Sequence, residues 1–199
     1  RLIVADPRKI SLTRTGEIHL QQRPGSDVAL INAMINVILE EGLEDREFIE
    51  SRTEGFEEVR KAVAEMTPEK AEPITGVAAE DIRRAARIYA EAESASIVYS
   101  MGITQHTTGT DNVLSLANLA MITGNVGKEC SGVNPLRGQN NVQGACDLGA
   151  LPNVYNGYQK VDLPEIKEKF SRAWKAELSD VPGLTVVEIM EAAASGDVR

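Results

Sequence analysis

Apolar positions along this chain switch between two spacings, and the switches mark its elements. Residues 2–5 form a short continuous apolar run that stops at Asp6-Pro7-Arg8, which predicts a buried strand followed by a polar turn. Residues 17–23 (Glu-Ile-His-Leu-Gln-Gln-Arg) alternate with a period of two and predict a second strand, with His19 on its solvated face. Pro24-Gly25-Ser26-Asp27 then reads as a turn into a helix. Ser26 is suited to the N-cap and Asp27 to the first turn. Val28, Ile31, Met34, Ile35, Ile38 and Leu39 follow at helical spacing until Gly42. Residues 45–52 and 55–66 predict two shorter amphipathic helices. Residues 67–77, with two prolines and Gly76, predict a connection.

The second half repeats the alternation of strand and helix. Residues 79–92 predict a helix with Ile82, Ala85, Ala86 and Tyr89 on one face, and residues 95–100 (Ala-Ser-Ile-Val-Tyr-Ser) predict a buried strand. Another helix is expected over residues 112–123, with Thr110 as its cap. Residues 125–143 are poor in apolar side chains and predict a long link, of the kind that carries function or crosses between domains. Residues 163–178 and 185–195 predict two more helices. Strand, helices, strand, helix is the signature of an α/β fold: a parallel sheet flanked by helices with right-handed crossovers.

Composition narrows the partners. Hydrophobic residues make up 42% of the 199, aromatics only 4%, so aliphatic side chains must fill the core. Thirty acidic against 21 basic side chains give a net charge of −9, which argues against nucleic acid as the main partner. No apolar run reaches the ~20 residues of a membrane span. The two cysteines, Cys130 and Cys146, lack a CxxC spacing, which disfavours a disulfide framework, a zinc site or a cluster made by this chain alone. That usage fits a reducing, cytoplasmic compartment. Without an initiating Met, and opening directly on a strand, the chain reads as an internal piece of something longer.

Three polar turns are the candidate chemistry. Asp6-Pro7-Arg8 and Met101-Gly102-Ile103-Thr104-Gln105 each follow a strand, and Pro24-Gly25-Ser26-Asp27 joins a strand to a helix. In a parallel sheet such turns converge on the edge where nucleotides bind. Asp27 would repel a phosphate but accept hydrogen bonds from a purine or a ribose. The residues alone equally allow Asp6-Pro7 to be a plain β-turn. Neither GxGxxG nor GxxxxGK[ST] follows a strand, so ordinary dinucleotide and P-loop sites are disfavoured. Neither His19 nor His106 has a partner for nucleophilic catalysis. Residues 133–147 hold Arg137 and five side-chain amides (Asn134, Gln139, Asn140, Asn141, Gln143), a loop suited to a polar, anionic ligand or merely a solvated turn. Arg137, beside Gly138, offers the planar fork that fits a carboxylate or phosphate.

At these segments the chain resembles the molybdopterin-dependent oxidoreductases, and most closely the catalytic (alpha) subunits of formate dehydrogenases. The resemblance lies in residues 101–106 (Met-Gly-Ile-Thr-Gln-His), 119–127 (Leu-Ala-Met-Ile-Thr-Gly-Asn-Val-Gly) and above all 133–147, continuing through 148–155. Asp6-Pro7-Arg8 and residues 23–27 match motifs of the wider superfamily. The resemblance implies a Rossmann-like, molybdopterin guanine dinucleotide-binding domain over residues 1–139 and part of a second α/β domain over 140–199. It implies oxidation of formate to carbon dioxide at molybdenum or tungsten held by two pterin dinucleotides, with a 4Fe-4S cluster passing electrons to further subunits. On that reading Arg137 orients formate and Gln139 contacts the pterin. Asp6, Arg8, Gly25, Ser26, Asp27, Met101, Gly102 and Gln105 line a guanine dinucleotide arm. The family's cluster cysteines, its metal-ligating Cys or selenocysteine and the adjacent histidine match nothing here, Cys130 and Cys146 included. The isolated chain is therefore expected to hold no metal, to be inactive, and to need the rest of the alpha subunit. A nitrate reductase-like or hydrogenase-linked enzyme of the superfamily, or a non-catalytic nucleotide-binding module, remains an alternative.

Overall fold

The computed structural model describes residues 1–198, which divide into two compact units, Arg1–Leu136 and the residues from Arg137 onward. In the first unit β1 (Ile3–Ala5) pairs in parallel with β2 (Ile18–Leu20), Ile3 opposite Ile18. The helix α1 (Asp27–Glu40) follows and forms the centre of the unit. Its sequence is apolar around most of its circumference, and Leu30, Ile31, Ala33, Met34, Ile35, Val37 and Ile38 are all buried. Such a helix is stable only when covered on several sides. Four helices cover it: α3 (Phe56–Val63), α4 (Pro68–Thr75), α5 (Ala79–Ala90) and α7 (Gly109–Ile122). The helix α2 (Arg46–Arg52) packs on α7, its N-cap Asp45 accepting from the Phe48 N–H at 2.9 Å. The strand β3 (Ser96–Tyr99) runs parallel to β4 (Gly132–Pro135), and the short helix α6 (Met101–Thr104) follows β3.

Several expectations are modified. Residues 67–77 hold the helix α4 where a connection was expected. Pro68 sits in the first turn, where an N–H would lack a partner in any case, and Thr67 and Gly76 cap the two ends. Pro73 forfeits one internal hydrogen bond, and the burial of Ala71 and Thr75 against α1 offsets it. The link over 125–143 contains β4, masked in the sequence by Gly132 and Pro135 at its ends. The helix expected from residue 112 starts at Gly109, with Thr108 rather than Thr110 at its cap position. A Cβ on Gly109 would meet the Thr104 carbonyl oxygen at 2.1 Å, so only glycine allows this close turn. Ser26 occupies the N-cap position of α1, but its hydroxyl donates to the Arg23 carbonyl (2.7 Å) instead of capping the helix. His19 is half-buried rather than solvated.

The second unit is smaller, and its regular structure is chiefly helical. It contains α8 (Val142–Asp147), a two-residue antiparallel pair of β5 (Val154–Tyr155) and β6 (Gln159–Lys160), α9 (Pro164–Trp174) and α10 (Val186–Ser195). Tyr155, Phe170 and Trp174 pack ring to ring, with Tyr155 and Phe170 centroids 4.8 Å apart. Thr185 and Glu188 form a complete capping box at the start of α10.

Candidate functional site

The first unit carries a cleft of about 580 Å³ between β1–β2 and β3. Its floor is apolar, with Leu30, Ile31 and Met34 of α1 and Leu116 and Leu119 of α7. Its mouth is polar and is built from the residues that follow the strands: Asp6, Pro7 and Arg8 after β1, Gln22, Pro24 and Asp27 after β2, and Ser100, Gly102 and His106 after β3. Three strands thus deliver their carboxyl-terminal turns to one place, the arrangement by which open α/β sheets bind ligands.

Each turn is held by its own local bonds. The Asp6 carboxylate accepts from the Arg8 backbone N–H at 2.7 Å, closing an Asx turn, and lies 3.6 Å from the Arg8 guanidinium. His19 Nε2 lies 2.8 Å from the Asp6 carbonyl and Gln21 donates to the Pro7 carbonyl (2.9 Å), so β2 fixes the turn that follows β1. The Arg8 side chain remains 79% exposed, free to meet an anion. At the next turn Gly25 adopts φ +82°, the left-handed conformation that favours glycine.

The sharpest chemistry lies deeper. Asp27 and Gln22 are buried, and Gln22 Nε2 donates to Asp27 Oδ1 at 3.2 Å. Turning the amide over would set two acceptors against each other, so the nitrogen faces the carboxylate. Among the described residues Gln22 Oε1 then has no donor. A buried amide carbonyl and a buried carboxylate thus lie side by side at a helix N-terminus, both lining the cleft, where they can accept N–H or O–H donors from water or from a bound molecule. Sequence reasoning passed over Gln22, although the alternation Ile18, Leu20, Gln22 places it on the inward face of β2. Tyr89 also lines the cleft. Burial pushes its phenol above the ordinary value, partly opposed by Thr123 and Asn125.

Of the residues expected to form this site, Asp6, Arg8, Asp27 and Gly102 line the cleft. Gly25, Ser26, Met101 and Gln105 adjoin it in sequence without lining it; Ser26 is buried and the other three are exposed. Arg137 and Gln139 belong to the second unit. There residues 137–141 form an exposed loop that precedes α8, whose N-cap Asn141 accepts from the Gly144 N–H at 3.3 Å. Arg137 makes no side-chain hydrogen bond or ion pair among the described residues. The nearby Tyr158 phenol is pushed above its ordinary value, chiefly by the Asp147 carboxylate, while the Arg137 charge opposes the rise. Among the described residues no group of three or more His, Cys, Asp or Glu is placed to hold a metal ion.

The model of the molybdopterin oxidoreductase family matches residues 1–199. This chain belongs to that family. It is 54% identical over its whole length to formate dehydrogenase H of Escherichia coli (strain K12) and 56% identical over 96% of its length to the F420-dependent formate dehydrogenase subunit alpha of Methanocaldococcus jannaschii. It spans 28% of the length of each of these relatives. Among solved structures, acetylene hydratase from Pelobacter acetylenicus superposes with a TM-score of 0.63 at 35% identity, over 65% of this chain and 18% of that one.

Three residues of the motif segments, Arg23, Gly124 and Asn125, and the neighbouring Asn112 turn out to be scaffold. Arg23 donates to the Pro73 carbonyl at 2.6 Å and packs on Gly76, tying the turn before α1 to the end of α4. Asn125, 1% exposed, accepts from the Ala95 N–H (2.9 Å) and donates to Thr123 (2.9 Å), which fixes the start of β3. Gly124 takes φ +63°, and a Cβ there would meet Asp45 Oδ2 at 2.2 Å. Asn112, buried under α6, donates to the Ile103 carbonyl at 2.8 Å and holds the turn after β3. These residues shape the cleft mouth without entering it.

Proposed function

We propose that this chain is the part of a formate dehydrogenase alpha subunit that binds one arm of a molybdopterin guanine dinucleotide and carries the arginine that orients formate. The observation that carries the cofactor half is the buried pair of acceptors, Gln22 Oε1 and Asp27. A guanine presents ring N–H and exocyclic NH₂ donors on one edge, which is the complement of that pair. The exposed Arg8 guanidinium at the same mouth suits the pyrophosphate that links guanosine to pterin. Asp6, Gly25, Ser26, Met101, Gly102 and Gln105 complete the arm's surroundings in this reading, Gly25 and Gly102 by leaving room for close backbone approach. When bound, the molybdenum or tungsten centre supplies two-electron oxidation of formate to carbon dioxide. Its metal ligand and the 4Fe-4S cluster that drains the electrons belong to other parts of the subunit, and further subunits accept them.

Arg137 has the role of substrate clamp. Its guanidinium, unpaired among the described residues, offers two parallel N–H donors to a carboxylate, and Gln139 reaches the pterin from the same loop. Lysine keeps the charge and loses the fork. In the full-length subunit, Arg137→Lys is expected to raise the KM for formate about tenfold or more, the loss of roughly 1.4 kcal/mol or more of charge-assisted bonding, while metal and pterin content stay unchanged. Asp27→Asn is expected to lower guanine dinucleotide content, measured by mass spectrometry of the released cofactor. Unaltered formate kinetics in the first variant sinks the clamp, and full cofactor loading in the second sinks the guanine contact.

A further inference from the structure

The first unit has a second pocket, of about 230 Å³, which shares no residue with the cleft. All of its lining lies between residues 39 and 60, so this stretch builds the walls by itself. Leu39 of α1, Ile49 of α2 and Phe56 of α3 form the apolar side. Glu44, in the turn between α1 and α2, lines it with a side chain only 7% exposed. Its Oε1 accepts from Arg46 Nε at 3.0 Å. Its Oε2 is buried and has no donor among the described residues. The backbone fixes Glu44 from both sides, as the Leu43 N–H donates to the Ile38 carbonyl (2.9 Å) and the Asp45 N–H to the Ile122 carbonyl (2.8 Å). A buried carboxylate with one oxygen idle costs stability, and an uncharged side chain of the same length would fill the position without that cost.

The charges around it point to a cation. Glu44, Glu50 and Glu57 line the pocket with Arg46 and Arg60. Arg46 is engaged by Glu44, and Arg60 lies 3.7 Å from Glu57. One negative charge, on Glu50, and one buried acceptor, Glu44 Oε2, are left over. Residues 40–58 carry nine acidic against two basic side chains, so the surrounding field also draws cations. Among the described residues no three carboxylates are placed to hold a metal ion, which leaves a monocation with N–H donors as the match.

We propose that this pocket binds a primary ammonium group on a short alkyl stem, the N–H donating to Glu44 Oε2 and the stem lying against Leu39, Ile49 and Phe56. A guanidinium fits less well, because its fork calls for both oxygens of one carboxylate and Oε1 is taken by Arg46. The volume falls below the ~300–1,000 Å³ of ordinary small-molecule pockets, which suits one extended alkylammonium chain. A free alkylamine and the lysine side chain of another polypeptide segment present this same group. The site lies apart from the cleft and does not depend on the reaction proposed above.

The probe is n-butylammonium, a lysine side chain without its backbone, titrated calorimetrically into the full-length subunit at constant ionic strength. Saturable binding is expected, about tenfold or more tighter than that of tetramethylammonium, which carries the charge without an N–H donor. Glu44→Gln should weaken it about tenfold or more, since the amide oxygen goes to Arg46 and its NH₂ then faces the ammonium. The comparison of the two cations on the unmutated subunit stands even if that variant fails to fold. A pocket already filled by a lysine excludes the probe. Carbodiimide coupling then joins the two side chains: the amine attacks the activated Glu44 carboxyl, an amide forms, and the carbodiimide leaves as its urea. A Glu44–lysine isopeptide found by peptide mass spectrometry supports the proposal and assigns the ammonium to the polypeptide. Neither butylammonium binding nor an isopeptide would overturn it, with water alone on Oε2. Equal binding of the two cations, or binding unchanged in Glu44→Gln, would also overturn it, because the acidic stretch is then only gathering counter-ions.

Discussion

Gln22→Met separates a ligand-binding role from a structural one, because the two roles give opposite results. Methionine matches glutamine in length and fills the same buried position next to Asp27. In the apoprotein the change removes an orphaned carbonyl, relieving a desolvation cost of about 1–3 kcal/mol, and deletes one hydrogen bond to a carboxylate, worth about 1.5–3 kcal/mol. The two nearly cancel, so apoprotein stability is expected to move by less than about 1.5 kcal/mol in either direction. With the guanine dinucleotide bound, the carbonyl has a donor and its loss costs a hydrogen bond of about 0.5–1.5 kcal/mol, a two- to tenfold fall in affinity. The assay measures urea unfolding midpoints of the full-length apoprotein beside cofactor content after dialysis. A variant destabilised by more than about 3 kcal/mol that retains its full cofactor complement would refute the reasoning and assign Gln22 to the core.

Three further predictions concern the frame. Gly124→Ala forces a side chain into a left-handed conformation with its Cβ 2.2 Å from Asp45 Oδ2, and a loss of about 2 kcal/mol or more is expected in chemical denaturation. Asn125→Ala leaves the Ala95 N–H without its acceptor at the start of β3, which should cost about 1–3 kcal/mol and increase amide exchange at Ala95. Glu41 is held below its ordinary value of 4.5 first by its hydrogen bond to Arg87 and also by that residue's charge. A carboxylate depressed by folding adds stability that is complete above that value and is lost as pH falls through the folded-state value. Glu41→Gln should therefore reduce the acid sensitivity of unfolding below about pH 4.5 and leave its slope near neutrality unchanged.

Local chemistry made most of the elements of the first unit legible. The stripe of α1, the face of α5 and the apolar run of β1 are written in side chains a few residues apart, and those periodicities hold wherever the helix or strand is packed. Asp6, Arg8 and Asp27 were legible for a related reason, since polar residues directly after a strand end up at the same edge of a parallel sheet. What stayed hidden depended on partners far away in sequence. The helix α4 exists because Ala71 and Thr75 find α1, and β4 exists because Val133 and Asn134 find Ile97 and Val98. Neither partner can be read from the segment itself. Gln22 looked like one more polar residue at the end of an alternating strand, until the fold buried its carbonyl beside Asp27 and left it without a donor among the described residues. Asn125 and Arg23 lie in motif segments, yet their hydrogen bonds to Ala95 and Pro73 make them supports of the site. The sequence by itself thus determined the family, the periodic elements and the polar turns, because each rests on neighbouring residues. Only the tertiary structure decided which polar groups are buried and unsatisfied, because burial is a property of distant contacts.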